Sequence, residues 1–221
     1  MTKNDKQTEQ KIFEAATEVF IEKGMDGARM QDIADHAGIN KALLHYYYRT
    51  KDRLFDAVFE ALTGQLFRKF APVFDETLSL EEKIRFFFRE HITFLQKNPR
   101  IPTFFMNEMY RNPARVRKLI HRLDINKFWI QLEAQHKEEF IKYNITREMI
   151  PQLMTSIAAL SVFPFMAKPV ITSIMEKVGY EFDPYIEERK EYAADFVINM
   201  LKQRETDHRQ KKTAQKNRPL L

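Results

Sequence analysis

The stretch from Met30 to Leu54, MQDIADHAGINKALLHYYYRTKDRL, constrains the fold more than any other part of the chain. Ile33, Ala34 and Ala37 give a first short helix one apolar face. Gly38 stands where a left-handed residue can close that helix, because glycine has no Cβ to clash. Asn40 is a strong N-cap, and Leu43, Leu44, Tyr47 and Tyr48 give the next helix its own apolar side, with Leu44 and Tyr48 as core. Thr50 caps a third helix, whose first turn carries Asp52 in favourable register with the helix dipole. Two short helices joined by a tight glycine turn form a helix-turn-helix, an arrangement whose second helix fits a DNA major groove.

Charge must be located before it is used. The net of +5 is spread unevenly: residues 1–51 hold eight basic and eight acidic side chains, whereas Gly38 to Arg53 sets Lys41, Arg49, Lys51 and Arg53 against Asp52 alone. The local cluster, not overall basicity, points to nucleic acid. Five glycines in 221 residues and long apolar stripes at helical spacing predict an all-α chain. The absence of cysteine excludes disulfides, thiolate metal sites and a cysteine nucleophile, and is consistent with a cytoplasmic location. The polar start MTKNDKQTEQK predicts no signal peptide, and no apolar run is read as a membrane span.

Taken in order, Asp5 to Lys23 predicts a first helix with Ile12, Ala16, Val19 and Phe20 inward, stopped by Gly24. A long helix from Lys51 to about Phe70 buries Leu54, Phe55, Val58, Phe59, Leu62, Leu66 and Phe70. Ser79 and Glu82 form a capping box for an aromatic helix with Ile84, Phe87, Phe88, His91, Ile92 and Leu95 on its stripe. A short helix follows around 103–111, then one long helix from Ala114 to about Tyr143, one capped by Thr146, a short piece closed by Gly179, and a last helix from Asp183-Pro184 to about Arg204. That is about nine helices: a three-helix DNA-binding domain at 1–50, a larger helical effector-binding and dimerisation domain at 51–204, and a basic, disordered tail at 205–221.

From Arg29 to Phe55 the sequence resembles the TetR family of bacterial transcriptional regulators, in the run IADHAGINKALLHYYYRTKDRLF: turn glycine, cap, aromatic run and following lysine agree together. The resemblance covers about 45 residues, including the first helix. It implies a homodimer on a near-palindromic double-stranded operator, usually a repressor, with a ligand cavity in the second domain whose occupation releases DNA. Arg29 departs from the pattern: it replaces a threonine or serine that caps the second helix, so that cap is replaced or lost. Leu43 stands where a small or polar residue is common and could meet a thymine methyl group.

By position, Lys41, Ala42, Leu43 and His45, with Gln31, are candidates for base edges; Tyr46, Tyr47 and Lys51 for phosphate; Arg29 and Asn40 lie at the same surface. Seventeen of 19 phenylalanines fall after residue 50, where they serve as core and as walls for a hydrophobic effector. The candidate pocket residues are Phe87, His91, Phe105, Met109, Phe128 and Phe163. The last two long helices, with Ser156, Ala158, Ala159 and Ser161 on one and Ala193, Ala194, Val197 and Met200 on the other, are the expected homodimer interface. No nucleophile elbow, phosphate-binding glycine loop or metal-ligand spacing among six histidines is present, so no catalytic residue, metal or cofactor is expected. The alternative to a ligand-gated regulator is one that binds DNA constitutively or under a protein partner.

Overall fold

The computed structural model describes residues 3–69, 75–122 and 125–216. Among them there are twelve α-helices and no strand. The helices are α1 (Lys3–Gly27), α2 (Met30–His36), α3 (Lys41–Tyr47), α4 (Lys51–Lys69), α5 (Leu80–Lys97), α6 (Ile101–Arg111), α7 (Pro113–Arg122), α8 (Ile125–Gln135), α9 (Lys137–Lys142), α10 (Ile150–Met166), α11 (Lys168–Glu176) and α12 (Phe182–Lys216). They form two compact units: Met1–Arg68 with Asn98–Leu123, and Lys69–Lys97 with Asp124–Leu221. This division differs from a boundary at residue 50, because α4, α6 and α7 all belong to the first unit.

In the first unit the expected stripes meet. Ile12, Ala16, Val19 and Phe20 of α1 are buried with Ile33 and Ala34 of α2, Leu44 of α3, and Leu54, Phe55, Val58 and Phe59 of α4. Leu66 and Phe70, read on the same stripe, have side chains outside the described residues. Gly24 breaks α1 with φ 69° and ψ 176°, so its last turn sets off in a new direction. Phe104 of α6 completes the core against Phe55 and Phe59, at ring separations of 5.5 and 6.0 Å.

A buried ionic cluster ties α4, α6 and α7 of this unit together. Arg115 donates to Asp56 at 2.5 Å and to Glu108, lies 3.7 Å from Asp52, and stacks over the Phe55 ring at 4.7 Å. Glu108 is only 4% exposed. Burial pulls the guanidinium pKa down, but the bonds to Glu108 and Asp56 outweigh it and hold the value above its ordinary level.

In the second unit α5 lies along α12, where Arg85 reaches Glu191 (3.0 Å) and Asp195 (2.6 Å) and Arg89 reaches Glu191 (3.0 Å). The capping box at Ser79 and Glu82 forms as expected, with Glu82 accepting from Ser79 N at 2.8 Å and Ser79 Oγ accepting from Glu82 N at 3.3 Å. The long helix expected from Ala114 to Tyr143 is interrupted at His136, between α8 and α9; residues 123–124 lie outside the described residues. The chain turns at His136 (φ −116°, ψ 32°), and His136 Nδ1 bonds Glu139 at 2.6 Å. That turn aims the Glu139 carboxylate at α5, where it accepts the orphan N–H of Leu80 at 3.0 Å.

Pro164 sits inside α10 and cannot donate to the carbonyl four residues back; Arg189 Nε of α12 donates to that carbonyl, Leu160, at 3.2 Å. Arg147–Met166 is, contrary to the sequence reading, long and apolar enough to cross a membrane by length and composition alone, and only 22% of its most apolar window is buried. The segment from Glu205 to Lys216, expected to be disordered, continues α12; it is rich in helix formers and carries a Glu205–Arg209 pair at 2.6 Å. Residues 217–221 lie outside the described residues.

Candidate nucleic-acid interface and cavity

The turn between α2 and α3 is fixed by local bonds that the residue types require. Gly38 takes φ 66°, Ile39 N donates to Ala34 O at 3.0 Å and Gly38 N to Asp35 O at 3.2 Å, which closes α2 in a Schellman motif. Asn40 then accepts Leu43 N at 2.8 Å and opens α3, and Thr50 accepts Arg53 N at 3.2 Å and opens α4. Arg29 precedes α2 in extended geometry and makes no side-chain cap bond, while the Asp32 carboxylate three residues on accepts the Arg29 N–H.

Leu44 is the one buried side chain of α3. Around it Lys41, Ala42, Leu43, His45 and Tyr46 are exposed, Tyr46 at 79%. Arg49, exposed just past α3, lines an open concavity with His45 and Tyr46; sequence reasoning counted its charge but did not place it at the site. Tyr48, expected in the core, is only half-buried.

Three candidates are already engaged within the protein. Gln31 donates to Asp35 at 2.7 Å, along its own helix. Tyr47 donates its hydroxyl to Asp5 at 3.3 Å; burial first, then the Asp5 charge, raises its pKa, so the group stays a protonated donor. Lys51 donates to the Ala28 carbonyl at 3.0 Å, joining the start of α4 to the end of α1 and leaving two ammonium protons for another acceptor.

A family model for bacterial regulatory proteins of the tetR family matches residues 12–58, the span of this turn and its supporting helices. Residues 12–58 are a TetR-family segment. The HTH-type transcriptional repressor KstR2 of Mycobacterium tuberculosis is 24% identical over 132 residues, covering 58% of this chain and 66% of KstR2, just under two-thirds of its length. The HTH-type transcriptional repressor SCO4008 of Streptomyces coelicolor is 45% identical over 53 residues, 24% of this chain and 28% of that protein. The solved structure of a TetR-like transcriptional regulator from Rhodococcus sp. RHA1 shares the fold with a TM-score of 0.58 at 23% identity, over 86% of this chain and 96% of that one.

The second unit contains a cavity of about 270 Å³ between α5, α8, α10 and α12. Of the six candidate pocket residues, Phe87, His91 and Phe128 line it. The other three do not. Phe105 belongs to the first unit and packs on Phe59 at 4.9 Å; Met109 lies in that unit also, 39% exposed; Phe163 points outward, 61% exposed. Their helical spacing was right, but spacing does not tell which side of a tertiary fold a stripe faces. Lys83 and Trp129 line the cavity and were missed, although Lys83, Phe87 and His91 recur every four residues on one face.

Of the residues expected at the interface, Ser156, Ala158 and Ala159 of α10 are exposed and Met200 of α12 is half-buried, whereas others are enclosed. Ala193, Ala194 and Val197 are fully buried within the unit, and Ser161 is buried with its Oγ 3.0 Å from His91 Nδ1. The large apolar side chains left exposed on α10 and α12 are Met154, Phe163, Met166, Tyr192 and Phe196.

Proposed function

We propose that the protein is a ligand-responsive transcriptional repressor that binds a near-palindromic operator as a homodimer and is released by a hydrophobic small molecule. The observation that carries this reading is the α3 face: Lys41, Ala42, Leu43, His45 and Tyr46 stand exposed on a helix whose entry is fixed by Gly38 and Asn40. A helix so held presents its first turns to base edges, while Tyr46, Arg49 and Lys51 flank it for phosphate. Repression is the role named for KstR2 and SCO4008. Self-association is supported by the uncovered apolar side chains Phe163 (61% exposed), Tyr192 (58%) and Phe196 (54%), which a second copy would cover. An effector is supported by the apolar cavity of the second unit.

The test is selection of bound genomic fragments, followed by operator binding with and without candidate effectors. A recovered inverted repeat that is released by an apolar ligand supports the reading; binding that no small molecule relieves would favour constitutive or partner-controlled binding. Within that assay, Lys51→Ala is expected to weaken binding to every sequence and to reduce the dependence of log affinity on log salt by about one. An unchanged salt slope would confine Lys51 to its bond with Ala28.

A further inference from the structure

We infer that the cavity of the second unit takes an elongated monocarboxylic acid, its carboxylate held by the Lys83 ammonium and its apolar body lying along α5 towards His91. The inference rests on the effector-binding reading of this unit and names the chemistry of its ligand.

The walls are aliphatic and aromatic save for a few polar groups, and those groups differ in kind. Lys83 is 2% exposed. Its one hydrogen bond is to a neutral partner, Gln135 Oε1 at 3.1 Å, and it makes no ion pair among the described residues. Burial pulls its pKa down in spite of the charges of Asp75, Glu139 and Glu76. Glu139 is occupied by Leu80 N and His136. A cation so enclosed is costly without a counter-charge, and a bound carboxylate supplies one. Trp129 Nε1, also at the cavity, is buried with no hydrogen-bond partner among the described residues. Lys83 and Trp129 thus both ask for an acceptor, and neither can satisfy the other.

The far end is different. Ser161 Oγ spends its proton on the Ile157 carbonyl at 2.9 Å, so it accepts from His91 Nδ1–H. Burial pulls the His91 pKa to about 4, so the ring is neutral near pH 7 and does not compete for the anion. Lys83 and His91 are eight residues apart on α5, a rise of about 12 Å, which sets the length of the ligand body. The head group therefore sits at Lys83 and the tail beneath Phe87 and Phe88.

Trp129 is the only tryptophan, so its fluorescence reports on the cavity itself. Titrating the full chain with decanoate, decanol and decylamine below their micellar concentrations is expected to give decanoate roughly tenfold tighter binding than decanol, the value of a charge-assisted bond, with decylamine weakest. Lys83→Met is expected to abolish that advantage and leave decanol binding as it was. Equal binding of acid and alcohol by the wild type, or an acid preference that survives Lys83→Met, would overturn the head-group assignment while leaving a hydrophobic effector in place. If none of the three perturbs Trp129, the effector cavity fails and the inference with it.

Discussion

Replacing Arg115 by methionine is expected to lower the stability of the first unit by about 3–5 kcal/mol, read as a shift in the denaturation midpoint of the full chain. The size follows from what is left behind. Arg115 is 13% exposed at its side chain and Glu108 only 4%, so the variant strands a buried carboxylate with its strongest partner gone. Asp56 and Asp52, at 53% and 72% side-chain exposure, return to water at little cost. Loss of the guanidinium over Phe55 adds a smaller term. The partner experiment is Arg115→Met with Glu108→Gln, which removes the stranded charge and should recover most of the loss. A double variant no more stable than Arg115→Met would show that packing, not the uncompensated carboxylate, sets the effect.

Leu44→Ala is expected to cost about 2–5 kcal/mol and to abolish operator binding. Helix α3 is seven residues long and buries one side chain, Leu44, which is fully enclosed. A helix this short has no stability of its own and exists because it is docked. Truncating its single anchor should unseat the surface that carries Lys41 and His45 while α1 and α4 stay folded on their larger cores. Leu43→Ala is the matched control: at 36% exposure it should change stability by less than about 0.5 kcal/mol and alter affinity only where the operator offers a methyl group. Equal loss of binding in both variants would mean that Leu44 is not the anchor.

The parts that sequence made legible are those decided within a few residues. Asn40, Thr50 and the Ser79–Glu82 pair all cap where their side chains predict, because a cap is a contact between residues two or three apart. Gly38 closes its turn for the same reason. What was not legible depends on distant partners. The break at His136 goes with a bond from Leu80 to Glu139, 59 residues apart in sequence, and no periodicity within α8 or α9 announces it. Phe105 and Met109 looked like pocket walls because α6 is aromatic, but α6 returns to the first unit, a fact of tertiary folding. Ala193 and Ala194 read as an interface because small residues permit close approach; the helix that approaches is α5 of the same unit. Lys83 was overlooked because a lysine between apolar positions is ordinarily a solvated side chain, and only burial distinguishes this one.

Pro164 has a mechanical meaning beyond its missing bond. The Leu160 carbonyl that it frees is filled by Arg189, so the two helices are doweled at one height. Sliding α10 against α12 by a single residue, about 1.5 Å, would lengthen a bond that already stands at 3.2 Å. On the other flank Ser161, the next residue along, is bonded to His91. Leu160 and Ser161, adjacent in sequence, thus tie α10 to α12 on one flank and to α5 on the other, beside the cavity that His91 lines.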